Sequence, residues 1–169
     1  NELAKNPTST VARSSLIQNA TAFIEKSENV YKGLKDYQTT LNTQVKNMVD
    51  SINKLGDKIY TLNKKISKIE STGIEDANDL RDERDAAIDE LSKYIDITYY
   101  ENDSKEVVIS AEGIPFITMG ELAKMDTRVV EGTNLVIPTW PGYERDVYDL
   151  STEASNVEDT DKGELKGLL

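Results

Sequence analysis

The sequence predicts an α+β fold, a long coiled-coil-like helical hairpin followed by a small antiparallel β domain. Three observations predict it. Apolar residues step alternately by 3 and 4 through Ile17, Ala20, Ile24, Tyr31, Leu34, Leu41, Val45, Met48, Ile52, Leu55, Ile59, Leu62, Ile66 and Ile69, interrupted only by Ser27 and Gln38. A shorter segment from Asp76 to Tyr94 gathers Ala77, Leu80, Ala87, Ile88 and Leu91 on one side. From Ile95 onward the apolar runs shorten to strand length and are punctuated by Gly, Asn, Asp and Pro. A 3.5-residue repeat marks the narrow seam of a coiled coil, and short β-branched or aromatic runs between turn residues mark strands.

Helix one is predicted to begin near Pro7. Asn6, Thr8 and Ser9 offer side-chain oxygens to orphan amides, and proline suits a first turn. It should continue to about Glu70, where Ser71-Thr72-Gly73 ends it. Gly33 and Gly56 lie inside it, at slight bends or close contacts. At 1.5 Å per residue the stripe is about 80 Å long, too long for a helix to bury on itself. Helix two carries acids in its first turns, and the short break at Gly73 predicts an antiparallel hairpin. Charge favours the pairing: residues 44–70 hold six lysines against three acids, and 76–95 hold seven acids against three bases. Helix two is long enough to cover only the C-terminal third of helix one. The stripe from Ile17 to about Val45 is therefore expected to need other segments of a parent chain, or neighbouring subunits.

Strands are predicted at Ile97 to Tyr100, Val107 to Ala111, Ile114 to Met119, Val129-Val130, Leu135 to Trp140 and Val147 to Leu150. Asn102-Asp103-Ser104 should be a hairpin turn, and Pro115 and Pro138 should sit on edge strands, where a missing amide is tolerated. The polar, acidic run from Ser151 to Lys162 reads as a linker, and Gly163 to Leu169 as the truncated start of a return helix. The expected division is a helical rod over 1–95, a β domain over 96–155, and linker plus return helix over 156–169.

Composition closes several functional classes. The 169 residues include no cysteine and no histidine, which removes disulfides, thiol nucleophiles, the commonest metal ligands and the usual general base near neutral pH. Catalytic residues, metal and cofactor are all expected to be none. The net charge of -11 is unevenly distributed: residues 1–70 hold 11 Lys+Arg against 7 Asp+Glu, and 71–169 hold 9 against 24. An acidic second half without a basic aromatic patch argues against nucleic acid and anionic lipid partners. No stretch approaches the apolar length of a membrane span, and no signal peptide opens the chain. Asn1 reads as the start of a fragment.

The candidate helix-packing and assembly residues are Leu34, Leu41, Val45, Ile52, Leu55, Ile59, Leu62, Leu80, Arg84 and Leu91. Arg84 falls on the apolar spacing of helix two, flanked by Asp82 and Asp85. Either it makes an inter-helix or inter-subunit ion pair that fixes register, or its stem covers the seam while its head reaches water. Gln38 specifies register or faces a gap. Glu158 to Glu164 alternates like a calcium loop but lacks the distal glutamate, so a solvated linker is the better account.

Three stretches then carry a resemblance. Asn6-Pro7-Thr8-Ser9-Thr10-Val11-Ala12-Arg13, Val49-Asp50-Ser51-Ile52-Asn53 leading to Leu62-Asn63-Lys64-Lys65-Ile66, and Asn78-Asp79-Leu80-Arg81-Asp82-Glu83-Arg84-Asp85 before Glu90-Leu91-Ser92 resemble the flagellar hook-associated protein 1 family, the hook-filament junction proteins. Gly163 to Leu169 is similar to the point where that family's chain returns from its outer domain. The resemblance implies a structural subunit that polymerises between hook and filament, with terminal helices forming the tube and β domains projecting outward. It implies neighbouring copies, hook protein and the next junction protein as partners, with neither nucleic acid nor membrane. It also implies an extracellular place in the flagellum, reached through the flagellar export channel without a cleaved signal. Another axial protein, or a coiled-coil adhesin with a β head, is the alternative. A carboxylate-dependent enzyme is a third class; it needs two acids converging in a cleft, and Glu101, Glu106, Glu112 and Glu144 read as turn and strand-face residues.

Overall fold

Ser9 opens the first helix: its Oγ accepts the Ala12 amide at 3.2 Å and its carbonyl accepts the Arg13 amide at 3.2 Å. In this computed structural model, which describes residues 8–71, 73, 76–148 and 163–169, α1 then runs Thr10–Glu70. The helix starts just after the expected position because the cap is Ser9. Pro7, Thr72, Asp149-Leu150, the Ser151 to Lys162 linker and most of the calcium-like run lie outside the described residues. The Gly73 amide bonds the Glu70 carbonyl at 3.0 Å and ends the helix. Helix α2 spans Asn78–Tyr94. Its ties to α1 run antiparallel, Glu70 to Arg81 and Asn63 to Arg84.

Among the described residues six strands follow: β1 Ile97–Glu101, β2 Val107–Ala111, β3 Ile114–Ile117, β4 Asp126–Val129, β5 Val136–Trp140 and β6 Arg145–Asp146. They form two antiparallel three-stranded sheets, ordered β1-β2-β3 and β4-β5-β6. Ile97 faces Ala111, Ile109 faces Ile117, Asp126 faces Thr139 and Trp140 faces Arg145. Asn102 builds the first hairpin as expected, its Oδ1 accepting the Ser104 and Glu106 amides at 2.9 and 3.1 Å. Glu112 and Gly113, both at positive φ, make the tight turn from β2 to β3.

Two strand expectations are corrected. The fourth strand begins at Asp126 and ends at Val129, so all of it but Val129 is the polar Asp126-Thr127-Arg128, which periodicity passes over. The last strand is Arg145–Asp146, and Val147 and Tyr148 are buried instead in the bend beyond it. Pro115 does lie on an edge strand, β3, but Pro138 lies on β5, the central strand of its sheet. The physical requirement is still met. The Pro138 carbonyl accepts the Val147 amide at 3.0 Å, so its nitrogen faces the side where β6 has already ended at Asp146.

The chain divides into two compact units, Asn1–Thr40 and Leu41–Leu169. In the second, helices and sheets share one core: Ile52, Ile59, Ile88 and Leu91 meet Ile109, Phe116, Trp140 and Leu165. Three short strands cannot bury enough apolar surface alone, and both sheets share one core with residues of α1 and α2. Gly56 makes this closeness possible. A Cβ there would lie 2.5 Å from Phe116 Cζ, so β3 packs onto bare helix backbone.

Candidate functional site

The apolar seam of α1 has two fates. Within residues 41–70 it is interior: Val45, Ile52, Ile59 and Leu62 are buried, and Leu41 and Leu55 half-buried. Leu91 on α2 lies in the same core, and half-buried Leu80 packs on a smaller cluster of Leu62, Ile66 and Ala77. Within residues 11–37 the seam faces solvent, with Leu34 64% and Phe23 71% exposed. The expected uncovered stretch reached to about Val45, which is instead 1% exposed. The sheets cover the middle of α1 as well as α2 does, which helix lengths alone did not reveal. The exposed face is also wider than one seam. Leu16, Phe23, Val30 and Tyr37 recur every seventh residue beside Ile17, Ile24 and Tyr31, and all are exposed.

Arg84 meets neither alternative as stated, because its ion partner is Glu101 on β1 and only a hydrogen bond to Asn63 crosses to α1. The head does not reach water: Arg84 is 2% exposed, with Nη1 donating to the Lys105 carbonyl at 2.9 Å and to Asn63 Oδ1 at 3.3 Å. Its Nη2 donates to Glu101 Oε2 at 2.8 Å. Arg81, one turn earlier, bridges the same Glu101 at 2.8 Å and Glu70 Oε1 at 2.7 Å. Two arginines and two glutamates thus tie the end of α1, the start of α2 and the end of β1 into one network. The Arg81 guanidinium, together with the Ala77 amide at 3.0 Å, holds the Glu70 carboxyl down at about 2. Burial pushes Glu101 upward, but hydrogen bonds from Arg81 and Arg84 outweigh it and the net direction is down. Both carboxylates stay ionised, so the network is a structural clamp and not an acid-base pair.

The largest feature that sequence reasoning missed is a row of asparagines on α1. Asn53 donates from Nδ2 to the Met125 carbonyl at 2.9 Å and accepts the Met125 amide at 3.0 Å. Asn63 does the same for Val107, at 2.7 and 3.0 Å. Asn42 donates to the Asn134 carbonyl at 2.6 Å and accepts the Val136 amide at 2.9 Å. Each side-chain amide presents the donor and acceptor that a neighbouring strand would supply, at places where β3 or β6 has ended or β4 has not begun. Tyr60 and Lys64 add bonds to the Gly120 and Met119 carbonyls, and Lys64 pairs with buried Glu106 at 3.0 Å. A sequence signal existed in the amide residues at 42, 53 and 63. It is weak because asparagine on a helix ordinarily faces water.

The four glutamates considered for carboxylate chemistry, Glu101, Glu106, Glu112 and Glu144, lie in separate settings. Glu101 and Glu106 are held by Arg81, Arg84 and Lys64; Glu112 Oε1 accepts the Asp96 amide at 3.2 Å; Glu144 sits at φ 51 after the turn Pro141–Tyr143. An open cleft of about 340 Å³ is lined by Arg128, Thr139, Trp140, Pro141, Glu144, Arg145 and Asp146. Its Asp146 is bound by both Arg128 Nε and Nη2, which lowers the carboxyl below its usual range. A carboxyl held ionised in this way is unsuited to act as a general acid. Among the described residues no group of three or more Asp or Glu is placed to hold a metal ion, and no helix is long and apolar enough to cross a membrane.

The final segment docks on α2. The Glu164 and Leu165 amides bond the Lys93 and Tyr94 carbonyls at 2.9 and 3.0 Å, satisfying acceptors that a helix end leaves open. Gly163 makes the approach, since a Cβ there would lie 2.6 Å from the Tyr94 carbonyl oxygen. Residues Lys166–Leu168 form a single 3-10 turn, with Lys166 Nζ 4.9 Å from the centre of the Tyr148 ring.

A family model described as the flagellar hook-associated protein FlgK helical domain matches residues 1–169. The chain is 30% identical over 135 residues to flagellar hook-associated protein 1 of Bacillus subtilis, covering 79% of this chain and 26% of that protein. The structure of the flagellar hook junction protein FlgK from Burkholderia pseudomallei superimposes with a TM-score of 0.78 at 20% identity, covering 99% of this chain and 30% of that one. The chain therefore spans about a quarter to a third of the length of these relatives.

Proposed function

Because the chain belongs to the flagellar hook-associated protein FlgK helical-domain family, we propose that it contributes helical and β parts to a structural subunit joining hook and filament in a bacterial flagellum. The observation that carries this is the seam of α1, exposed over residues 11–37 and interior from Leu41 onward. A surface apolar on that scale is an association surface. On this reading residues 1–95 serve as rod, 96–155 as the β part, and 156–169 begin the return toward the rod. Residues such as Ile24 and Leu34 are covered in the assembled state by the rest of the parent chain and by neighbouring copies. The partners are other axial subunits, namely copies of this protein, hook protein and the next junction protein. The location is extracellular, after passage through the flagellar export channel without a cleaved signal. The arginine-held carboxylates support a role without catalysis, and the family assignment favours it over an adhesin.

The test is binding of the intact protein to isolated hook tips, comparing wild type with Ile24→Asp and Leu34→Asp. These positions are exposed, so folding of Leu41–Leu169 is expected to survive while tip binding falls at least tenfold. Tip binding unchanged by both substitutions, or absent in a folded wild type, contradicts the proposal.

A further inference from the structure

We propose that Asn42, Asn53 and Asn63 specify where along α1 the β region docks. The apolar surface of α1 cannot do this by itself. A repeat of seven residues looks alike after a shift of one heptad, about 10.5 Å of helix. Such a shift would carry Val45 into the place of Ile52, Ile52 into that of Ile59 and Ile59 into that of Ile66, all buried positions of similar shape. The asparagines follow a different rhythm. Their spacings of 11 and 10 residues are not multiples of seven, so no heptad shift brings one clamp onto the next. A shift in one direction offers Lys35, Lys46 and Gly56 in their places; in the other it offers Val49, Tyr60 and Glu70. None has an amide that donates and accepts at once.

Each clamp reads two backbone groups with opposite polarity: the amide and carbonyl of Met125, those of Val107, and the Val136 amide with the Asn134 carbonyl. In a slipped arrangement no position pairs both backbone groups of its site through one side-chain amide: Gly56 and Val49 offer nothing, the lysines only donate and Glu70 only accepts. This is the logic by which one polar residue in an apolar coiled-coil seam selects a single register, applied here between a helix and two sheets. Gly56 reinforces it, since only a glycine accepts Phe116 at that height. The inference stands whether or not the subunit binds hook tips.

The test uses pulsed electron resonance on the intact protein. These 169 residues hold no cysteine, so in a protein whose other cysteines, if any, are replaced by serine, cysteines at exposed Lys46 and Glu131 carry spin labels on α1 and on the turn between β4 and β5. Wild type is expected to give one narrow distance. Asn53→Leu combined with Asn63→Leu is expected to add a second population displaced by about 10 Å, or a spread of that width, while helix content is retained. A double variant that remains folded with the single wild-type distance overturns the proposal and leaves the asparagines a purely stabilising role. If the double variant does not fold, the single variants Asn42→Leu, Asn53→Leu and Asn63→Leu decide. A second distance in any folded one supports the proposal, and an unchanged distance in all of them overturns it.

Discussion

Phe116 on β3 stands where a side chain at position 56 of α1 would be: a Cβ on Gly56 would meet Phe116 Cζ at 2.5 Å and Leu122 Cδ1 at 3.1 Å. Helix and sheet touch there through backbone and ring, and that contact seats the first sheet on the helix.

Substitutions at the two interior glycines of α1 should therefore differ in sign. Gly56→Ala must displace a rigid, fully buried ring and is expected to destabilise by about 1–3 kcal/mol, the usual cost of overpacking. Gly33→Ala meets nothing within 4 Å and gains helix propensity, for a local stabilisation of up to about 1 kcal/mol. Urea midpoints read the first, and helix content of residues 10–40 reads the second.

Arg84→Met tests the buried clamp. It leaves the Lys105 carbonyl and Asn63 Oδ1 without their guanidinium donor, while Glu101 keeps Arg81. The expected loss is about 2 kcal/mol, below the 3–5 of a fully orphaned buried ion, because Glu101 retains a partner and some solvent. Arg84→Lys should recover little of it, since one ammonium cannot span three acceptors on Asn63, Lys105 and Glu101. Chemical denaturation at neutral pH measures both.

The seam was legible in the sequence because a 3.5-residue rhythm has one structural meaning, and the hairpin at Asn102 because its side chain builds the turn locally. Sequence alone did not reveal what covers the seam. Val45 was expected to lie bare, yet it is buried, because the strands that floor themselves on α1 are far away in the chain. The asparagine clamps were hidden for the same reason: their partners lie 44 to 94 residues away. Arg84 stood out by position, but only geometry decided between an outward head and an inward one.

Acid should weaken the fold through Glu70. Its folded value of about 2 lies below the ordinary 4.5, so its contribution is fully present above about pH 4.5 and is lost as pH falls toward 2. Glu101, also lowered, acts in the same direction. Stability followed from pH 5 to pH 2 should fall, and Glu70→Gln should flatten that slope while lowering the plateau above it. An identical slope in the variant would mean that other carboxylates carry the effect.

Trp140, the sole tryptophan, is 1% exposed and packs 5.6 Å from the Phe116 ring. Its emission should be blue-shifted and poorly quenched by acrylamide until the sheets leave the helices. Trp140→Ala is expected to cost about 3–5 kcal/mol.

On the proposed reading α1 carries two surfaces, interior from Leu41 onward and an association face over residues 11–37. Amide hydrogen exchange along α1 tests it most directly, first in this chain and then in the intact protein bound to hook tips. Residues 45–66 should be protected to the level of global unfolding in both states. Residues 11–37, a helix with its apolar face in water, should exchange orders of magnitude faster in the chain and gain protection on assembly. Equal protection along the whole of α1 in the chain, or no gain at 11–37 on assembly, would rule out two surfaces on one helix.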